Sequence, residues 1–324
     1  MSAFLSRAGH DVTLVDSVSE HVAAIHRSGL RITGPIAEFS FALPAFTPDT
    51  LLGTWDTIIL ATKAHHTDAA VRALLPHLTD SGCVISAQNG LNELTIAEVV
   101  GERRTVGAFV NFGADYLEPG VILYGGRGTV TVGEAFGPPA SRLSPRALQI
   151  RDTWRDFDER ATATANIFGY LWAKEAYGAM LFATALTNDS IADALARPEY
   201  RKLYLALARE ILGVALARGV RPEAFDGFDP AAYLPDAPAG AASQSLDDLV
   251  VHNRKSAKTH SGIWRDLAVR KRPTEVDAQL GIVVRLGAEI GVPTPLTARV
   301  VALIQEIERG VRTLALENME ALFS

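Results

Sequence analysis

Lys174 stands in an otherwise apolar helical stretch, directly after Leu171-Trp172-Ala173. Partial burial lowers a lysine's pKa toward neutrality, and the ammonium that remains can protonate and stabilise a developing oxyanion. The plainer reading is a lysine that lays its stem on apolar surface and keeps its head in water. Asn89 follows directly on a strand within Gln88-Asn89-Gly90, Lys63 ends another strand, and Asp16 closes a third. Ligands bind at such strand ends in open α/β sheets, although an Asn-Gly pair is also an ordinary turn. Thr274 precedes Glu275 and Asp277 as a cap precedes a helix, an arrangement that any helix start favours. Ser261 lies in His260-Ser261-Gly262; His260, His252 and Trp264 read equally well as packing or surface residues. No Cys/His spacing forms a metal site, and Cys83 is the one cysteine, so no internal disulfide is expected.

These residues need elements to hold them. The first half alternates short apolar runs with amphipathic stretches, the pattern of βα units wound into a mostly parallel sheet. Strands are expected at Asp11–Val15, Thr57–Ala61, Cys83–Ala87 and Thr105–Val110, with helices at Ser19–Ser28, Asp68–Leu78 and around Leu91–Val99. Gly120–Tyr124 and Gly128–Val132, separated by Gly125-Gly126-Arg127-Gly128, read as an antiparallel hairpin closing the sheet. From about Asn166 the apolar period becomes three to four residues, and helices are expected near Ile167–Ala185, Glu199–Arg218, Ser243–Asn253, Thr274–Ile290 and Thr297–Gly310. Phe225–Gly240 is too rich in Pro and Gly for a helix and reads as a loop.

The chain of 324 residues is long enough for two domains at roughly 150 residues each. We place them at 1–165, an α/β Rossmann-type dinucleotide-binding domain, and 166–324, an all-helical domain for substrate and dimerisation. Hydrophobic residues at 48% and charged residues at 21% exclude a disordered or collagen-like chain. A net charge of −6 argues against a general nucleic-acid binder. No apolar run reaches bilayer length and no export signal is evident, so a cytoplasmic protein without membrane partners is expected.

The opening is unusual for a dinucleotide fold, which begins with a strand, a glycine-rich turn and a helix whose N-terminus holds the pyrophosphate. Here Phe4–Ala8 reads as the end of that helix, Gly9 as its cap, Val12–Val15 as the second strand and Asp16 as its acidic end. The Rossmann-type domain is therefore truncated at its start. The expectation is that the natural protein starts upstream of Met1, and that the chain as written binds reduced cofactor poorly and has central strands unpaired on one side.

Ala8-Gly9-His10-Asp11-Val12-Thr13-Leu14-Val15-Asp16, Thr62-Lys63-Ala64, Gln88-Asn89-Gly90, the Gly120–Gly133 segment, Leu171-Trp172-Ala173-Lys174 and Arg272-Pro273-Thr274-Glu275-Val276-Asp277 occur in this order. Together they resemble the ketopantoate reductase (2-dehydropantoate 2-reductase) family of pantothenate biosynthesis. The resemblance implies an NAD(P)-dependent oxidoreductase that reduces a 2-oxo acid in a cleft between a Rossmann domain and a helical domain. It matches Lys174 to the proton-donating lysine and Asn89 to a residue touching cofactor and substrate. Lys63, Gly113 and Glu275 match cofactor-binding positions, and Ser261 falls near the serine that holds the substrate carboxylate, with an interval to Glu275 about two residues longer than usual. The family favours NADP. Asp16, followed by Ser17 rather than Arg, leans toward NAD, because it would accept from a ribose hydroxyl and repel a 2′-phosphate.

The sequence departs from the family at Gly178 and Phe182, four and eight residues after Lys174, where the resemblance leads one to expect asparagines gripping the substrate. Helical spacing puts both on the same face of the helix as Lys174. Loss of both amides makes that wall roomier and more apolar, so the expected substrate is 2-dehydropantoate or a related 2-oxo acid. The alternatives are a catalytically silent member that binds a metabolite or partner, or an opine-type or hydroxyacid dehydrogenase. A homodimer is also among the expectations.

Overall fold

The computed structural model describes residues 1–137, 143–255 and 259–323. Two compact units result: Met1–Thr62, His66–Gln88 and Glu93–Ile167 form one, and Lys63–His65, Asn89–Asn92 and Phe168–Ser324 form the other.

The first unit is built on mixed sheets. Its strands are β1 (Leu14–Val15), β2 (Leu30–Thr33), β3 (Phe39–Phe41), β4 (Ala45–Phe46), β5 (Trp55–Leu60), β6 (Leu78–Ser86), β7 (Thr105–Val110), β8 (Gly113–Glu118), β9 (Val121–Gly126), β10 (Val130–Glu134) and β11 (Thr162–Ala163). Five form one sheet in the order β11-β10-β7-β6-β5, four form a second in the order β3-β2-β9-β8, and β1 pairs with β4. The β5, β6 and β7 strands run parallel, which requires crossover helices, here α3 (Thr67–Leu74) and α4 (Asn92–Val100). Burial on both faces follows. Cys83 and Ile85 join one apolar cluster while Val84 joins the other, with Val71, Ile96 and Val100 from the helices. β5 ends this sheet, bonded on one side only, and Ile59 on it is 37% exposed.

α1 (Ser2–Arg7) is pinned by aromatic edges: Phe4 meets Phe39 at 4.9 Å and Phe157 at 5.3 Å between ring centroids. α2 (Ser19–Ser28) ends at Gly29, whose φ of +76° favours glycine; a Cβ there would lie 2.7 Å from the Phe41 carbonyl oxygen. α5 (Pro145–Trp154) also lies in this unit.

The expected Gly120–Tyr124/Gly128–Val132 hairpin does not form. β9 pairs antiparallel with β8 across Pro119-Gly120, while β10 lies in the other sheet against β7. The glycines at 125–128 instead let the chain pass from one sheet to the other, and a Cβ on Gly128 would stand 2.3 Å from the Asn111 carbonyl oxygen.

The second unit is helical: α6 (Ile167–Thr184), α7 (Ile191–Ala196), α8 (Arg201–Ala217), α9 (Ala241–Lys255), α10 (Gly262–Trp264), α11 (Ile282–Glu289), α12 (Pro295–Glu308) and α13 (Glu317–Glu320). Phe225, Phe228 and Tyr233 bury their rings, so the expected loop is a packed one and includes a 3-10 turn at Pro230–Tyr233. Glu210 on α8 caps α12, accepting from the Leu296 and Thr297 amides at 3.0 and 2.8 Å, where a carboxylate meets the positive end of the helix dipole. The helix expected from Thr274 begins with a π-helical turn at Asp277–Gly281, and a second π turn spans Arg265–Arg270.

Candidate functional site

Lys63, Asn89, Lys174, Gly178, Phe182, Ser261 and Glu275 fall in the helical unit, the first two on loops that leave the C-terminal ends of β5 and β6. Asp16 and Gly113 belong to the sheet unit.

Glu275 is fixed from both sides. Its Oε2 accepts from Lys63 Nζ at 2.5 Å and its Oε1 from the Ala64 amide at 2.7 Å. The preceding turn is clamped by Asp266, which is 4% exposed and receives Arg270 Nη1 at 2.8 Å and Arg272 Nε at 2.9 Å on Oδ1. Between these arginines Lys271 takes the left-handed conformation at φ +51°. Thr274 donates its amide and hydroxyl to Glu308 Oε1, each at 2.7 Å, and its Oγ1 accepts from the Val276 amide at 3.2 Å, the capping contact its sequence announces. π turns on either side bracket the segment, a geometry that recurs at functional sites. Gly90, at φ +105°, lets the Asn89 loop approach; a Cβ there would stand 3.4 Å from the Ala278 carbonyl oxygen. The Asn89 side chain is exposed, and the backbone carbonyl oxygen of Asn89 accepts from Asn92 Nδ2 at 2.6 Å.

Along α6 the half-buried positions after Gly169 are Tyr170, Lys174, Tyr177, Gly178 and Leu181, spaced as one helical face, and the rest of the helix to Thr184 is buried. Lys174 is therefore on the accessible stripe. A Cβ at Gly178 would meet nothing within 4 Å, so the wall beside Lys174 is open. Phe182 is 0% exposed. Eight residues at about 100° each carry the chain some 80° past Lys174, so Leu181 rather than Phe182 completes the accessible stripe. Tyr177 is bonded to Asn253, whose Nδ2 donates to its hydroxyl at 3.1 Å.

Sequence reasoning passed over Glu175. It is 2% exposed on the buried side of α6, and its Oε2 has no hydrogen-bond partner. Burial pushes its carboxyl up to about 8, with Lys174 pulling it down and Glu275 adding to the rise. The available signal was a charged residue at an apolar-face position next to a candidate lysine.

Ser261 caps α10, its Oγ accepting from the Trp264 amide at 3.1 Å. Asp16 makes a comparable turn, with Oδ1 accepting from the Val18 amide at 2.8 Å. Gly113 opens β8 opposite Gly126. Thr184 and Thr187 donate their hydroxyls to the Leu181 and Thr184 carbonyls, Ser190 donates its own to Asp193 Oδ2 while accepting from the Asp193 amide, and Trp264 and His260 both reach Asn188. In the sheet unit, Gln88 donates to Thr62 and Thr67 while its buried Oε1 has no partner, an acceptor at a strand end that suits a polar ligand such as a nicotinamide cofactor. Among the described residues there is no metal-holding cluster, and no helix is long and apolar enough to cross a membrane.

Residues 1–137 match the family model described as ketopantoate reductase PanE/ApbA, and residues 166–308 match that of its C-terminal part. The 2-dehydropantoate 2-reductase of Archaeoglobus fulgidus is 26% identical over 314 residues, covering 96% of this chain and 94% of the relative. That of Pyrococcus horikoshii is 25% identical over 320 residues, covering 95% and 93%. A ketopantoate reductase structure from Ralstonia eutropha superposes with a TM-score of 0.77 at 23% identity, covering 95% of this chain and 94% of that one. A D-mandelate dehydrogenase with NADH and anilino(oxo)acetate gives a TM-score of 0.81 at 19% identity, covering 96% and 95%. The chain belongs to the ketopantoate reductase family, and it is an NAD(P)-dependent oxidoreductase acting on a CH–OH group.

Proposed function

We propose that this protein reduces a 2-oxo acid to the 2-hydroxy acid, with Lys174 as the proton donor. The observation that carries this reading is Lys174 on the accessible stripe of α6 beside the open position at Gly178. A reduced nicotinamide, when bound, supplies the hydride. As the carbonyl carbon takes the hydride pair, the C=O π electrons move onto oxygen. The Lys174 ammonium stabilises that oxygen and gives it a proton, leaving a neutral amine. Glu275, Lys63, Asn89 and Gly113 hold the cofactor in this reading, Asn89 and Ser261 orient the substrate, and Asp16 favours NAD over NADP at the ribose. The space at Gly178 admits a bulkier 2-oxo acid than 2-dehydropantoate.

Steady-state kinetics of Lys174→Ala on a panel of 2-oxo acids, run with NADH and with NADPH, tests the assignment. The expected loss of turnover is about a hundredfold or more, since both an acid and an oxyanion partner disappear. Near-normal turnover would remove Lys174 from the chemistry, and clearly tighter NADPH binding would remove Asp16 from cofactor choice.

A further inference from the structure

Glu175 follows the proposed proton donor in the chain, about 100° further round α6 and so still its neighbour, among residues with almost no exposed surface. Isolated carboxylates are not ionised in such places without a partner, because the transfer from water costs far more than protonation. Oε2 has no partner. Resting on Lys174 as proton donor, we propose that Glu175 is its positioning residue: neutral in the helix core while the ammonium is charged, and the counter-charge that keeps the proton on Lys174 as the medium turns alkaline.

The charged groups that reach Glu175 are Lys174 on its own helix and Glu275 from the clamped turn. Glu275 is itself paired to Lys63. On the stripe of Lys174, Tyr170 senses Glu223 one turn earlier and Tyr177 is bonded to Asn253 one turn later. Burial and Glu275 push the Glu175 carboxyl up to about 8, and Lys174 opposes them. The coupling is reciprocal: a carboxylate formed at Glu175 strengthens the hold of Lys174 on its proton by the same amount that the ammonium favours the carboxylate. The donor thus stays loaded over a wider alkaline range than a lysine in the same apolar setting without this neighbour.

The test compares kcat/KM from pH 6 to 10.5 for the wild type, Glu175→Gln, Glu175→Met and Glu175→Asp, each normalised to its own plateau. Alongside it, the pH dependence of Lys174 acylation by acetic anhydride is followed by peptide mass spectrometry. In Gln and Met the alkaline limb and the acylation curve are expected to move about one unit to lower pH, the size of a coupled titration, whereas Asp keeps them near the wild-type position. Either neutral variant suffices should the other fail to fold. Superimposable acylation curves for wild type and a folded neutral variant overturn the proposal. A shifted acylation curve with an unshifted rate profile upholds the coupling and overturns Lys174 as proton donor, an outcome that Lys174→Ala reports separately.

Discussion

The turn that carries Glu275 and the helix that carries Glu175 lie in one unit and present the same chemical group, yet they treat it in opposite ways. Glu275 is given donors: an ammonium at 2.5 Å and an amide at 2.7 Å, on a segment clamped by Asp266 and Glu308. Glu175 is given none at Oε2 and is pushed toward the neutral form by burial. The first arrangement fixes a carboxylate in place, whereas the second stores a proton. A carboxyl group therefore takes its role from the donors around it and its burial, and the same residue type a hundred positions apart serves two ends.

The sharpest way to break this contrast is Glu175→Leu. The folded carboxyl titrates near 8 rather than at its ordinary 4.5. Below 4.5 both folded and unfolded chains are protonated, so the group costs no linkage energy. As pH rises to 8 the unfolded chain releases a proton that the folded one keeps, and stability falls. Leucine removes that cost. Thermal melts are expected to show the variant gaining on the wild type by on the order of a few kcal/mol between pH 4 and pH 8. A gap independent of pH would contradict a neutral Glu175.

The second measurement concerns the other carboxylate. Glu275→Ala strips Lys63 and the Ala64 amide of their acceptor. Lys63 is 46% exposed, so the lost ion pair is expected to change the melting temperature little. Reduced-cofactor affinity, read by fluorescence titration, should weaken about tenfold, the equivalent of about 1.4 kcal/mol. Unchanged affinity with a large loss of stability would make the segment a purely structural clamp.

Gly178→Asn probes the open position one turn after Lys174 on α6. Nothing lies within 4 Å of a Cβ there, so stability is expected to stay within about 0.5 kcal/mol. The ratio of kcat/KM for small hydroxylated 2-oxo acids over bulky ones is expected to rise severalfold. An unaltered ratio would mean that substrates do not use that wall.

Local patterns made part of this legible from sequence. Ser19–Ser28 and Thr105–Val110 were readable to the residue because an amphipathic run ending at Gly29 and a β-branched run before Asn111 are each decided by their own neighbours. The hairpin was not, since Gly125-Gly126-Arg127-Gly128 has turn composition and only long-range pairing sends its two flanks to different sheets. The Lys63–Glu275 contact joins residues 212 positions apart, beyond any spacing rule. Phe182 was misplaced because i+4 and i+8 drift apart on a helix, and Glu175 escaped because α6 is apolar nearly all round and leaves no period to mark its inner face.

The π turns have a consequence for how the chain tolerates insertions. A turn closed from i to i+5 holds one residue more than an α turn, and the extra residue is accommodated without rotating the downstream segment. The Arg265–Arg270 turn lies between Ser261 and Glu275. Length added there would be taken up as local slack, leaving Ser261 to start its helix and Glu275 to meet Lys63 and Ala64 as they do now. The segment can thus gain residues while the side chains at its two ends keep their aim.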